Sequence, residues 1–461
     1  MALKWKKPLD LGFVDWRGVA SREDACRREV QLNRRFAPDV YRDVLSVTDS
    51  DGRICEWVVL MRRMPAQKRL STMINDGRLV DDALRAVAHA LATHHASARR
   101  SARIDAGGTP AALLARWRSN LDALAENQLL DRAVLTTLTT LAHGYIAGRH
   151  PLLEARVAEG RVREGHGDLL ADDIFCLEDG PRILDCLEFD EDLRAVDAID
   201  DAAVLAMDLE RLGAPELAHE FMRVFVEFTA DPAPPSLTHH YIAYRAVMRA
   251  KIAAIRARQG DPDAATEVRV LAGIGLRHLQ LGEPKLVVIG GLPGTGKTTL
   301  AGDLADAFEG VLLRSDRVRK ESAGLDPNRA DAATDDLYTA ARNHQTYDLL
   351  LQRARRLLER GESVILDATW SSADVRARAR AVAADSYADL RELCCVAPTD
   401  VADARIRERR AVGADSSDAT PDVAHALAAT FQAWPEATVI DTNQALADSC
   451  AAAHDALTTR A

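Results

Sequence analysis

The chain has 461 residues, of which 47% are apolar and 28% charged, a make-up that allows two or three buried cores and excludes wholesale disorder. Its 59 Lys and Arg against 70 Asp and Glu leave a net charge of -11, which disfavours nucleic acid or an anionic membrane as a bulk partner while leaving room for a local basic site. Seven cysteines without CxxC or Cys/His spacing read as reduced thiols. No apolar run reaches membrane-spanning length or forms a leader, so a reducing cytoplasm is the expected location.

Up to about residue 255 the grammar is α+β with helices dominating. The run EWVVLMRRM (56–64) is strand-like, and LVDDALRAVAHALATHHA (79–96) and AALLARWRSNLDALA (111–125) have helical apolar periods. RILDCLEF (182–189) reads as a short buried strand after the turn LEDGP, and DPAPPS (231–236) as a loop. The stretch Asp263–Leu281 predicts a connecting helix, ended by Gly282 and Pro284. Beyond it strand and helix alternate: KLVVIGG, a helix from Lys297, GVLLRSD, helices through Leu358, SVILDAT, a helix over RARARAVAA, LRELCCV, a helix through Arg410, and ATVIDT. Such alternation implies a mostly parallel sheet covered on both faces. The expected domains are therefore 1–260, a connecting helix 261–283, and 284–461.

The sharpest signal is Gly291-Leu-Pro-Gly294-Thr295-Gly296-Lys297-Thr298, which satisfies GxxxxGK[ST] between an apolar strand and a helix-compatible run. Glycines admit positive φ, so successive N–H groups can face inward and cradle phosphate oxygens at a helix N-terminus. Gly291, Gly294, Thr295, Gly296, Lys297, Thr298 and Thr299 form the expected nucleotide-binding set, with Lys297 reaching the β and γ phosphates and the Thr298 hydroxyl on magnesium. A plain Gly-rich turn would account for the glycines but for neither the Lys nor the Thr. Asp367, at the end of the apolar run SVILD, is the candidate second magnesium ligand, against the alternative of a cap for the following helix.

Ser315-Asp316-Arg317-Val318-Arg319 follows the second strand of this block, where a chain leaving beside the phosphate loop would face an acceptor. Asp316 is placed to take the acceptor proton, with Arg319 one helical turn away; an N-cap and a solvated charge are the competing reading. Arg405 and Arg409, four apart in DARIRERR before the polar stretch VGADSSDATP, have the spacing of a basic lid over a transferred phosphoryl, against a solvated arginine face. These segments, GGLPGTGKTTLA, SDRVRK, VILDATW and RIRERR before GADSSDA, resemble small P-loop kinases of the polynucleotide-kinase, gluconate-kinase and zeta-toxin group over about 284–461. That resemblance implies that Asp316 and Arg319 act on the acceptor and that the lid arginines clamp ATP. The AAA mechanical ATPases, another P-loop class, are disfavoured by a short domain without an arginine-finger or sensor segment.

In the first block His166-Gly167-Asp168-Leu169, then Asp173 and Asp185, have the layout of a phosphotransferase catalytic loop and its downstream metal aspartate, with Asp168 as base and Asp185 as magnesium ligand. Acids that cap helices and form salt bridges are the competing reading. KKPLDLGFVDW, CRREVQLNRRFAPDVY, MRRMP, HGDL, LDCLEFDEDLRAVDAIDDAAVLAMDLE and YRAVMRAK together resemble aminoglycoside-phosphotransferase-like domains fused ahead of a P-loop kinase domain in bacterial proteins. The resemblance implies a protein-kinase-like fold, with Lys4, or else Lys6, as the ATP-pairing lysine, Glu29 as its helix partner, and Met61 to Met64 as the hinge. The sequence departs from that pattern in three places. Only three residues precede Lys4, so an incomplete small lobe without its phosphate-covering hairpin is expected; HGDLLADD puts Leu170 where the family has His and Asp173 where it has Asn. Asp173 can still bind a cation but adds negative charge beside a triphosphate.

The reading is an α+β protein-kinase-like domain followed by an α/β P-loop domain with a parallel sheet. Its expected activity is ATP- and magnesium-dependent phosphoryl transfer to a hydroxyl of a small-molecule acceptor, with neither a membrane nor nucleic acid as partner. The alternative is an ATP-driven switch whose first domain senses a ligand or binds a protein. The adjacent pairs His94, His95 and His239, His240 read as helix residues rather than metal ligands.

Overall fold

The computed structural model describes residues 1–10, 15–327, 339–412 and 420–458, with backbone alone at 410–412. It divides into two units, Met1–Ile146 with Leu153–Gly282, and Ala147–Leu152 with Glu283–Ala461.

The first unit opens with β1 (Ala2–Trp5), α1 (Val19–Asn33), β2 (Tyr41–Thr48) and β3 (Ile54–Met61), whose strands form an antiparallel sheet of order β1-β3-β2. Period-two alternation turns Val59 and Tyr41 inward, where Cys26 and Val30 of α1 close the core against Phe175 and Leu184. Helices follow: α2 (Leu70–Asn75), α3 (Asp81–Ser97), α4 (Ala102–Gly107), α5 (Pro110–Asn127), α6 (Arg132–Gly148) and α7 (His150–Ala158). Next come β4 (Val162–Glu164), β5 (Ile174–Leu177), β6 (Gly180–Ile183) and β7 (Ala195–Asp197), with β4 paired to β7 and β5 to β6, each antiparallel. The strand expected over RILDCLEF ends at Ile183. Asp185 has φ 63°, outside the extended region, and the Tyr41 hydroxyl accepts its N–H at 3.1 Å, so the chain turns away from the sheet there.

The unit ends in α8 (Ala198–Arg211), α9 (Pro215–Thr229), α10 (Pro235–Arg258) and α11 (Ala264–Leu281). Every residue of α8 from Ala198 to Leu209 is buried, Asp200, Asp201 and Asp208 among them. Acids survive such burial only when paired, and these three serve the loop described below. The segment 261–283, expected as a connector, is mostly α11, and it buries Val268, Leu271, Ile274 and Leu279 in the first unit.

The second unit comprises β8 (Lys285–Gly290), α12 (Lys297–Ala307), β9 (Val311–Arg314), α13 (Ser315–Ser322), α14 (Ala340–Leu358), β10 (Val364–Asp367), α15 (Ala373–Asp385), β11 (Asp389–Val396), α16 (Thr399–Val412), α17 (Pro421–Thr430), β12 (Thr438–Asp441) and α18 (Leu446–Thr458). Its five strands are all parallel, in the order β12-β11-β8-β10-β9. One face packs Leu286, Val288 and Leu366 against Leu350, Leu358 and Val382 of α14 and α15; the other packs Val287, Ile289 and Ile365 against Leu300, Leu304 and Leu457 of α12 and α18. This is the doubly covered parallel sheet that the alternation predicts. It gathers the carboxyl ends of β8, β10 and β9 side by side, where α/β sheets bind ligands. Among the described residues no helix is long and apolar enough to cross a membrane, and the seven cysteines are unpaired.

Candidate active site

The turn from β8 into α12 has three glycines at positive φ, Gly291 (137°), Gly294 (82°) and Gly296 (80°). Two are also demanded by space: a Cβ at Gly291 would lie 2.5 Å from the Cys395 carbonyl oxygen, and one at Gly294 would collide with the Ala402 carbonyl of α16. The Thr295 hydroxyl donates to the Leu292 carbonyl at 2.8 Å, and Lys297 Nζ rests on the same carbonyl at 3.3 Å. Thr299 follows Thr298 in the first turn of α12. Strand, turn and helix thus stand as GxxxxGK[ST] requires.

Asp367 ends β10 with its carboxylate buried, and Thr298 Oγ1 donates to its Oδ2 at 2.7 Å. Burial raises the Asp367 pKa against the opposing influence of Lys297, the Thr298 hydroxyl and Arg314, whose Nε is 3.4 Å from Oδ2. A desolvated carboxylate beside a hydroxyl is a hard-oxygen pair suited to magnesium, which takes its remaining oxygens from water and phosphate. Among the described residues no three His, Cys, Asp or Glu side chains cluster as a self-contained metal cage. Beyond Asp367 the chain bends sharply: Trp370 is at φ 54°, its N–H donates to the buried Tyr347 hydroxyl at 3.2 Å, and the Gly291 N–H donates to the Thr369 carbonyl at 3.2 Å. The phosphate loop and the β10 exit are thereby tied together.

At the end of β9, Arg319 Nη1 donates to Asp316 Oδ1 at 2.8 Å and Arg319 Nη2 to Asn343 Oδ1 at 3.3 Å. Arg314, two residues before Asp316, pairs in register with Asp367 at the end of β10, so the expected acceptor pair and the expected metal pair follow adjoining strand ends. Arg405 does not stand free as a lid: its Nη2 donates to the Thr442 carbonyl at 2.8 Å and its Nη1 to Thr442 Oγ1 at 3.4 Å. Thr442 in turn donates to the Thr295 carbonyl at 2.8 Å, so Arg405 bears on the phosphate loop through Thr442. Arg409, half-buried, lies one turn further along α16. The expected lid stretch falls mostly on 413–419, outside the described residues.

In the first unit the expected acids and lysines also meet. Lys4 Nζ is 2.8 Å from Glu29 Oε1 and 2.5 Å from Asp185 Oδ1, while Lys6 Nζ is 2.7 Å from Glu29 Oε2 and pairs with Glu188. Glu29 is fully buried and carries a lysine on each oxygen. Burial works against the charge on Lys4, but Glu29 and Asp185 outweigh it and raise its pKa. Asp168 lies 3.3 Å from Arg249 Nη1; loss of solvent raises its pKa against that cation. Asp173 is pushed up to about 7, first by burial and then by the charges of Asp185 and Asp168.

Sequence reading missed what holds this loop. Asp201 accepts the His166 and Gly167 N–H groups at 2.8 Å each and His95 Nε2 at 2.8 Å, Asp208 accepts the Ala171 N–H at 2.9 Å, and Arg245, paired with Asp200 at 2.6 Å, donates to the Gly167 carbonyl at 3.1 Å. The available signal was acid in an apolar helix: IDDAAVLAMDL keeps three aspartates on a segment with no solvent face. Thr442, Arg314 and Asn343 were missed as well, since a threonine after a strand or an arginine before a helix carries no pattern of its own.

A family model described as an AAA domain matches residues 286–434. With the five-stranded parallel sheet and the glycine turn, this makes the second unit a P-loop nucleotide-binding domain. The gluconokinase of Sinorhizobium meliloti 1021 is 19% identical over 38% of this chain and 91% of its own, with a TM-score of 0.28; the APS kinase CysC of Mycobacterium tuberculosis is 21% identical over 38% and 99%, with a TM-score of 0.31. Along nearly its whole length the chain is similar to uncharacterized protein Rv2004c of Mycobacterium tuberculosis (strain ATCC 25618 / H37Rv) and uncharacterized protein Mb2027c of Mycobacterium bovis (strain ATCC BAA-935 / AF2122/97). Each is 40% identical over 445 residues, 96% of this chain and 89% of the relative. The chain belongs to the family of these mycobacterial proteins.

Proposed function

We propose that the chain is a magnesium-dependent ATP phosphotransferase that moves the γ-phosphoryl group to a hydroxyl of a small-molecule acceptor through its second unit. The observation that carries this reading is adjacency: Thr298 pairs with Asp367, and Asp316 with Arg319, at the carboxyl ends of adjoining parallel strands. The N–H groups of Gly294 to Thr298 and the Lys297 ammonium bind the phosphates. Thr298 and Asp367 would hold magnesium, which offsets phosphate charge when bound. Asp316 accepts the acceptor proton as the acceptor oxygen bonds to phosphorus and the bond to the β-phosphate oxygen breaks, releasing ADP; Arg319 fixes the Asp316 carboxylate for that role. Arg405 and Thr442 keep the phosphate loop in place, and Arg409 supplies further positive charge on the same helix.

The first unit, on this reading, is a phosphotransferase-like module. Its support is the Lys4–Glu29 pair beside Asp185, and a loop bearing Asp168 whose backbone is pinned by Asp201. Asp173 and Asp185 offer oxygens suited to magnesium, but Lys4 already engages Asp185, and burial disfavours the Asp173 charge. Both points favour the second unit for the working chemistry. The test is ADP release by the full chain with a panel of sugars, aminoglycosides and nucleosides, comparing wild type with Asp316→Asn. Acceptor-stimulated turnover that collapses in the variant supports the kinase. Turnover that ignores every acceptor and persists in Asp316→Asn would make ATP hydrolysis a switch instead.

A further inference from the structure

Between the end of α1, the end of α3 and Glu164 of β4, the first unit has an open cavity of about 490 Å3, a volume within the range of small-molecule sites. None of the residues assigned above to phosphoryl transfer lines it. Its floor is apolar, from Leu32, Ala90 and Ala98, and its wall carries Arg35, Arg99 and Glu164. Both arginines lean on one oxygen, Glu164 Oε2, with Arg99 Nε at 3.2 Å and Arg35 Nη1 at 3.6 Å, while the other oxygen already takes Arg194 Nη2 at 3.1 Å. Three guanidiniums therefore face one carboxylate. The surplus is positive, and the neighbouring His94 does not alter it: burial, then Arg35 and His95, push its pKa down to about 4, so the ring is neutral at pH 7. Arg99 pairs with Glu164 alone among the described residues and its side chain is 73% exposed, so it can turn its fork to an incoming group without uncovering any core.

We propose that this cavity binds a small molecule through an oxyanion, a phosphate ester or a carboxylate, held by Arg35 and Arg99 over the apolar floor. Planar guanidinium forks match such oxygens bidentately, and two of them converge here on a carboxylate that a third arginine already neutralises. The site is connected to the acids of the first unit by direct contacts. Glu164 precedes Gly165 and His166 in the chain, Phe36 packs between His94 and His166 with ring centroids at 4.3 and 5.3 Å, and Arg35 Nη2 donates at 3.3 Å to Cys186 Sγ, the residue after Asp185. A ligand drawing Arg35 toward the cavity therefore acts on the two segments that carry Asp168 and Asp185.

The probe is inorganic phosphate, measured by equilibrium dialysis on the full chain carrying Lys297→Ala so that the glycine turn does not compete. The expected result is one saturable phosphate per chain, weakened tenfold or more by Arg99→Gln, lost in Arg35→Gln/Arg99→Gln, and unchanged by Arg223→Gln on the surface of α9. Competition by malonate separates a carboxylate occupant from a phosphate one. Amide exchange at His166–Asp168 should slow with phosphate in the Lys297→Ala chain and stay constant once Arg99→Gln is added. Absence of saturable binding in the Lys297→Ala chain, or a dissociation constant within twofold after Arg99→Gln, overturns the site; binding without any change in amide exchange overturns its connection to the loop.

Discussion

The two units solve opposite electrostatic problems with the same kinds of side chain. In the first, Lys4 and Lys6 are consumed by Glu29, Asp185 and Glu188, which outnumber them, and Asp168 and Asp173 add further acid, so these groups together offer no surplus positive charge to a polyphosphate. In the second, the hydrogen bond that Lys297 makes among the described residues is to a backbone carbonyl, and a turn of N–H groups opens beside it, with the acid Asp367 withdrawn beneath a threonine hydroxyl. A cation bound to carboxylates is structural until something displaces them; a cation bound to a carbonyl is available to a ligand. The difference explains why the presence of lysine and aspartate in both units does not make them equivalent, and it favours the second as the ATP site of the proposed reaction.

The comparison breaks most visibly at Lys297. Lys297→Ala should lower acceptor-stimulated ADP release by about 10³-fold, the scale of removing a transition-state charge, whereas Lys4→Ala should leave that rate within threefold. Asp201→Ala should destabilise the first unit by about 3 kcal/mol, because two buried N–H groups and the His95 ring lose their acceptor, read as a lower urea midpoint for that unit with the second unit's transition unmoved. Asp316→Asn should cut the turnover number by about 10²-fold with the KM for ATP nearly constant, as loss of a general base does. The last effect concerns pH. Folding raises the Asp173 pKa from its ordinary value to about 7, so the folded state holds more proton than the unfolded one between about pH 4 and 7, and stability is lost as pH rises through that window, by at most about 1.4 kcal/mol per unit. Asp173→Asn should flatten the slope in urea titrations of the first unit.

Much of the second unit was legible because its signals are local. A glycine turn, a lysine and a threonine occupy consecutive positions, and apolar runs fully buried on both faces read as parallel strands without a partner in view. The first unit hid more. The RILDCLEF run looks like one strand, but the positive φ at Asp185 that ends it is set by Tyr41, 144 residues away in the chain. Lys4 or Lys6 could be named as the partner of Glu29 through resemblance, yet that both lysines share it, and that Glu188 joins them, could not, since a five-membered ion cluster depends on the packing of α1 over the small sheet. Arg405 illustrates the same limit: its spacing with Arg409 suggested a basic lid, while its hydrogen bonds to Thr442, just after β12, carry no signal in the sequence. Long-range acids such as Asp201 leave a compositional trace in the sequence, but their targets do not.

The central claim is that phosphoryl transfer belongs to the glycine turn and not to the lysine–acid cluster. The direct measurement is acceptor-dependent ADP release by the full chain as wild type, Lys297→Ala and Asp168→Ala, against one panel of hydroxyl acceptors. The account predicts that turnover stimulated by an acceptor vanishes in Lys297→Ala and survives in Asp168→Ala. Turnover that survives Lys297→Ala and vanishes in Asp168→Ala would contradict it and place the enzyme in the first unit.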